Sequence, residues 1–275
     1  MDLHIQAFRL AEELSLPVMV CMDGFILTHA HERLEVPGAE QVDAFLPPFE
    51  PRQVLDPGEP VSIGAMVGPE AFTEVRFLAH ARQLQALDLI PRVAAEFAER
   101  FGRSSGGLVR PYRTEDAQTI VVALGSVLGT IKDTVDELRD DGMKIGALGI
   151  TSFRPFPLDA VAAALGNCRR VVVVEKALAV GIGGIVSANV RMALSAVNVR
   201  DCTVIAGLGG RAITRKSLRE LFLTAARDQL EPLTFLDLDV ELVGRELARV
   251  AASRQSGPAA ENMLRDLGAV ASRIG

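Results

Sequence analysis

Residues 119–150 read TIVVALGSVLGTIKDTVDELRDDGMKIGALGI, and the fold follows from this stretch. Thr119–Leu124 is an apolar run rich in β-branched side chains, closed by Gly125-Ser126. Val127, Leu128, Ile131, Val135 and Leu138 then recur at helical spacing over Val127–Arg139. Asp141-Gly142 stops that helix, and Lys144–Ile150 reads as a second buried strand. Two strands apolar on both faces, joined by a crossover long enough to be a helix, make a βαβ unit.

The same pattern continues downstream. A helix is predicted over Pro157–Leu165, a strand over Arg169–Glu175, and a helix over Gly184–Ala193. A strand over Thr203–Gly207 and a helix over Arg215–Arg227 follow. Alternating strands and helices imply an α/β fold: a mostly parallel sheet with helices on both faces. Beyond it lie a short strand candidate, Leu233–Leu236, a helix over Val240–Ala251 and a last amphipathic helix over Ala260–Val270.

Upstream, Asp2–Leu14 has a helical pattern with Ile5, Phe8, Leu10 and Leu14 apolar. Leu16–Met22 (LPVMVCM) reads as a buried strand ended by Asp23-Gly24, with Phe25–His31 following. One helix, one strand and one loop do not close a core by themselves. Another chain is therefore expected to complete them, or the product is shortened at its start. Pro37–Pro60 holds six prolines, which exclude regular helix or central strand over most of it and predict an extended connector. Phe72–Phe101 carries a helical stripe that Pro91 is expected to break or kink near Leu89. Gly102–Gly107 reads as a flexible turn.

The 275 residues are 49% apolar, enough for a full core. The formal net charge is −6, and the chain has no Trp and one Tyr. A basic, aromatic nucleic-acid surface is therefore not expected. No apolar run approaches the roughly 20 residues that span a bilayer, and the acidic amphipathic start does not read as a signal peptide. A cytoplasmic protein without membrane contact is expected. Cys21, Cys168 and Cys202 lie far apart with no CxxC pair, so no metal site is carried by local spacing. Burial as small hydrophobes is the expectation for Cys21 and Cys202.

Three places could touch a ligand or partner. Asp23, Thr28 and His29, with His31, lie just past the carboxyl end of the Leu16–Met22 run, where open α/β sheets bind ligands. Gly181 and Gly183 sit in a turn between a strand and a helix. Gly207, Gly209 and Arg211 belong to GLGGRA, which fits a GxGxxA dinucleotide fingerprint in form. It falls on the last strong strand, though, and no acidic residue ends a following strand. Both glycine turns read first as tight turns, and second as contacts to a neighbouring subunit or an anion. No Ser/His/Asp set, HExxH or carboxylate pair appears, so no catalytic residue is assigned.

Six blocks occur in order: LPVMVCMDGFILTHA (16–30), FLPPFEP (45–51), VGPEAFTEVRF (67–77), FGRSSGGLVRPYRTEDAQ (101–118), VVALGSVLGTIKDTVDELRDDGMKIGALGITSFRPFP (121–157) and IAGLGGRAIT (205–214). Together they resemble the alpha subunit, or the equivalent region of the fused enzyme, of the pyruvate (2-oxoacid):ferredoxin oxidoreductases. The resemblance implies 2-oxoacid and coenzyme A chemistry spread over several subunits, with thiamine diphosphate forming the adduct and iron–sulfur clusters passing electrons to ferredoxin. It implies that a beta subunit holds the diphosphate and its Mg, and that the first alpha domain holds the pyrimidine ring. The second alpha domain is implied to be similar to the C-terminal domain of transketolase.

The match begins near the end of the first of these domains. The expected organisation is a remnant of the pyrimidine-binding domain (1–46), a connector with a helix (47–115), the transketolase C-terminal-like domain (116–250) and a helical tail (251–275). The family's activating glutamate and its substrate-carboxylate grip have no counterpart here, and Ala212 stands where the family often has Asp. The resemblance thus implies a partial alpha subunit that binds no cofactor alone, is inactive alone, and docks on a thiamine-binding beta subunit and an iron–sulfur subunit. A non-catalytic assembly module and an NAD-binding domain are the competing expectations.

Overall fold

The computed structural model of the chain describes residues 1–24 and 26–269. It divides into two compact units, one running to Thr234 and one starting at Phe235.

The first unit opens with four helices: α1 (Asp2–Leu14), α2 (Ile26–His29), α3 (Ala39–Phe45) and α4 (Phe72–Phe101). Helix α1 buries Ile5 and Leu14 against Ala86, Leu89, Val93 and Phe97 of α4, and Phe45 of α3 closes the cluster. The Phe45 ring meets Phe97 edge-on at 5.7 Å and Phe101 at 5.6 Å, while Phe97 and Phe101 stack at 4.2 Å. Arg9 bonds Glu96 at 2.7 Å, and Arg103 bonds Asp2 at 2.8 Å, so α1 and α4 run antiparallel.

Three expectations are corrected here. Leu16–Met22 is not a buried strand: among the described residues no strand pairs with it, and Met19 is 87% exposed. A strand needs a hydrogen-bonding neighbour, and none among the described residues lies beside it. Cys21 of that run is accordingly exposed, whereas Cys168 and Cys202 are buried, and burial pushes both thiols up. Pro91 does not break α4, which continues to Phe101. The proline sits on the exposed side and the carbonyl it leaves unbonded belongs to half-buried Leu87, while Leu89, Val93 and Phe97 anchor both flanks in the core. That burial outweighs the roughly 3 kcal/mol a helical proline costs. The proline-rich stretch is irregular as expected, except for α3, which fits between Pro37 and Pro47.

The α/β part comprises β1 (Val109–Tyr112), β2 (Thr119–Ala123), α5 (Val127–Asp140), β3 (Ile145–Ile150), α6 (Leu158–Leu165), β4 (Arg170–Glu175), α7 (Val186–Ala193), β5 (Arg200–Ile205), α8 (Arg215–Ala226) and β6 (Leu233–Phe235). The sheet order is β1-β3-β2-β4-β5-β6. Strands β3, β2, β4 and β5 are mutually parallel, and β1 is antiparallel to β3. The strand β1 (VRPY) was not foreseen, since Arg and Pro mask its pattern. A bond from the Thr151 N–H to the Leu108 carbonyl (3.0 Å) sets its alternation and turns Pro111 away from β3, where no donor is needed.

Every residue of β2, β3 and β4 is buried. Ile120, Val122, Val171 and Val173 face α6 and α7, contacting Val161, Leu165, Val186 and Val190. Val121 and Val172 point to the opposite face. Helices α5 and α8 pack on each other there, burying Ile131, Val135, Leu218 and Phe222 completely. At the amino edge of the sheet, buried Arg170 donates to Asp228 (2.8 and 2.9 Å) and to the Thr119 hydroxyl (2.8 Å). Hydrogen bonding from Arg170 holds the Asp228 carboxyl below its ordinary 3.8, and Arg103 does the same for Asp2. A carboxylate lowered in this way adds stability in full above 3.8 and loses it as pH falls through the folded value beneath. The urea midpoint is therefore expected to be flat from pH 7 to about 5 and to drop below about 4, with D228N showing a shallower acid drop.

The second unit holds α9 (Val240–Ala252) and α10 (Ala259–Asp266), joined by an Arg249–Asp266 pair at 3.0 Å and by the amide of buried Asn262 donating to Glu246 at 3.2 Å. The predicted final helix was drawn to Val270, which lies outside the described residues, as does Phe25.

Candidate functional site at the carboxyl edge of the sheet

From β2 the chain crosses to β3 on one side, then returns past β2 to β4 on the other. The loops after β2 and β4 therefore diverge, and the crevice between them is where open α/β sheets receive ligands. Here the crevice receives Asp23. Its Oδ2 accepts from the Ser126 N–H at 3.0 Å and from the Ser126 hydroxyl, and its Oδ1 lies 3.3 Å from Lys176 Nζ. The Ser126 hydroxyl first, then its N–H and Lys176, hold the Asp23 carboxyl below 3.8.

Two glycines make room for this. Gly125 adopts φ +73°, and a Cβ there would stand 3.2 Å from Asp23 Oδ2. Gly207, at φ +70°, brings the loop after β5 so close that a Cβ would stand 3.3 Å from Lys176 Cε. Three strand ends thus converge on one charge pair, and Asp23 ties the otherwise unpaired Pro17–Gly24 segment to them. Lys176→Met is expected to release this tie, increasing proteinase K cleavage within residues 17–36 several-fold while leaving the far-ultraviolet dichroism unchanged.

The next helix start is also filled from within. Buried Glu175, the last residue of β4, accepts from the N–H groups of Ile185 (2.8 Å), Val186 (2.7 Å) and Ser187 (3.0 Å). A carboxylate at this position satisfies donors that the helix cannot and complements its dipole. Gly181 and Gly183 lie in the turn before it, at φ +86° and +115°, where Ala179 and Gly183 bond each other at 2.7 and 2.8 Å. Val180 and Ile182 project from this turn, 89% and 83% exposed.

After β5, Gly207 and Gly209 form a single 3-10 turn over Leu208–Gly210, with Arg211 exposed just beyond. Helix α8 begins only at Arg215, and the Thr214 hydroxyl caps it by accepting the Ser217 N–H at 3.0 Å. A dinucleotide fingerprint needs the helix start at the glycine turn itself, with free amides. This geometry removes the basis for the NAD reading.

Thr28 and His29 lie on α2, exposed, their side chains 3.4 Å apart. Exposed His31 follows. The structure thus brings Asp23 to Gly125, Ser126 and Lys176, and gathers the glycine turns along the same edge. Sequence reading missed Lys176, Glu175 and Thr214. The available signal for Glu175 was a lone charge ending VVVVE before a glycine turn and helix. Among the described residues, no three of His, Cys, Asp and Glu converge as a metal site. No described helix is long and apolar enough to cross a membrane.

Residues 117–218 match the family model for pyruvate:ferredoxin oxidoreductase core domain II. Residues 1–94 match the model for the thiamine diphosphate-binding region of pyruvate flavodoxin/ferredoxin oxidoreductases. The chain belongs to the pyruvate:ferredoxin oxidoreductase family. Within this family it is 40% identical to pyruvate synthase subunit PorA of Methanothermobacter thermautotrophicus over 226 residues, covering 80% of this chain and 57% of the relative. It is 32% identical to ketoisovalerate oxidoreductase subunit VorA of Pyrococcus horikoshii over 248 residues, covering 89% and 62%. A 2-oxoglutarate:ferredoxin oxidoreductase structure from Magnetococcus marinus gives TM-score 0.40 at 16% identity, over 60% of this chain and 24% of that one. The chain therefore spans little more than half the length of the curated oxidoreductase subunits it matches.

Proposed function

We propose that this chain is a partial alpha subunit of a thiamine diphosphate-dependent 2-oxoacid:ferredoxin oxidoreductase, with pyruvate as the oxoacid. The carrying observation is the pair of family matches, one before β1 and one beginning at β2, in the order that one alpha subunit requires. In this reading the complex oxidatively decarboxylates the oxoacid to its acyl-CoA, and ferredoxin takes the electrons. A thiamine-binding beta subunit and an iron–sulfur subunit are the partners, in the cytoplasm.

The starts of α5, α7 and α8 are taken by Asp23, Glu175 and Thr214. These residues do not fit the cofactor's diphosphate, so no step of the reaction is assigned to them. The chain's own contribution is to hold segment 17–24 on the sheet edge through Asp23, so that Thr28 and His29 stand where the thiamine-binding domain meets its neighbour. The test is reconstitution. The purified chain is expected to show no pyruvate-dependent viologen reduction, and to support it only with partner subunits and the rest of an alpha subunit. Turnover by the chain alone overturns the reading, as does failure of the full set.

A further inference from the structure

Helices α9 and α10 turn polar side chains to each other. Buried Glu246 accepts from the buried Asn262 amide at 3.2 Å and pairs with Arg249, which also reaches Asp266 at 3.0 Å. The apolar side of α9 faces away from this contact. Val240, Val243, Gly244, Leu247, Val250 and Ala251 recur at i, i+3, i+4, i+7, i+10 and i+11, which makes one stripe without a charge in it. Val240, Leu247 and Val250 on that stripe are 71%, 66% and 53% exposed. A helix of 13 residues is marginal by itself in water, and burial of its apolar face normally holds it. Apart from Leu242, the contact with α10 does not supply that burial. Gly244 points the same way. Glycine is disfavoured in a helix interior, and a Cβ at this position would meet nothing within 4 Å. No packing among the described residues calls for a glycine there, whereas close approach by another helix does.

We propose that the α9 stripe docks on the same stripe of a second copy of this chain, the two helices running antiparallel about a two-fold axis. The stripe is complementary to itself, as such an interface requires. With the axis between Arg245 and Glu246, Gly244 lies under Leu247 of the second copy, so the largest side chain of the stripe meets its one gap. The same register sets Val243 beside Val250 of the second copy and Val240 beside its Ala251. Charge agrees with this direction. Asp237, Asp239 and Glu241 stand at the start of α9, and Arg254 stands just past its end. Antiparallel copies therefore bring an acidic end to a basic one, whereas parallel copies would bring like to like. The two family matches cover residues 1–94 and 117–218 and do not reach α9. The proposal thus stands independently of the functional reading above.

The test is sedimentation equilibrium of the full chain across roughly 1–100 µM, a range set by how small one helix face is beside a standard interface. A monomer–dimer equilibrium is expected, with hydrogen exchange over Val243–Ala251 slowing as the dimer fills. Leu247→Asp is expected to raise the dissociation constant about a hundredfold, because it forces a charge into the apolar centre. Gly244→Ala should raise it about tenfold, since the added methyl meets Leu247 of the second copy. Alanine favours the helix, so that weakening cannot come from lost helix. Arg254→Glu should raise it about threefold, as a charge at the rim does. Phe77→Asp on α4 and Met192→Asp on α7, both at exposed positions, should leave it unchanged. A chain that stays monomeric throughout overturns the proposal. So does a dimer that Leu247→Asp leaves intact, that Phe77→Asp breaks, or that Gly244→Ala does not weaken.

Discussion

Gly184→Ala is expected to destabilise the first unit by about 3 kcal/mol in urea unfolding followed by dichroism at 222 nm. The argument is steric. A Cβ on Gly184 would fall on Glu175 Oε1 and crowd the Ser187 hydroxyl. The Glu175 carboxylate must then leave the N–H groups of Ile185, Val186 and Ser187. Each buried hydrogen bond is worth about 1 kcal/mol net, more when a donor is left bare. Glu175→Ala should cost a similar amount for the same reason. The double variant is the sharper measurement: since both changes remove one interaction, G184A/E175A should lose about 3 kcal/mol and not the sum of the two. Additive losses would mean that Gly184 is required for something other than room for this carboxylate. Glu175→Gln, which keeps one acceptor oxygen, should fall between wild type and E175A.

Phe45→Ala is expected to cost about 4 kcal/mol, within the usual range for a buried ring. Phe45 is 1% exposed, packs edge-on against both Phe97 and Phe101, and lies under the Arg9 guanidinium at 5.0 Å. It is the buried contribution of the seven-residue α3 to the cluster of α1 and α4. Its removal should therefore free α3, seen as faster hydrogen exchange over residues 39–45, before it loosens α1. Equal exchange in the variant and wild type would show that the ring only fills space.

The parallel sheet was legible because β2, β3 and β4 are buried on both faces and their sequences admit no other environment. Where the reading failed, a residue's partners lay far away in the chain. Val18 and Val20 have strand chemistry, but pairing is a property of two segments, and only one is present among the described residues. Pro91 obeys its local rule until Leu89, Val93 and Phe97 gain a core to enter. Val109–Tyr112 becomes a strand because β3 offers an edge, not because VRPY favours one. The site divides in the same way. Asp23 and the glycine turns could be placed at strand ends from spacing alone. That Asp23 would meet Ser126 and Lys176, respectively 103 and 153 residues on, could not.

Pro111 has a consequence for how such molecules can associate. Its ring nitrogen faces outward from the short border strand, beside exposed Arg110, and carries no hydrogen to offer a newcomer. Lateral growth of the six-stranded layer is therefore barred on that flank. Copies of this polypeptide that crowd together therefore meet a gap in the row of donors there, and a continuous ribbon cannot be zipped through it.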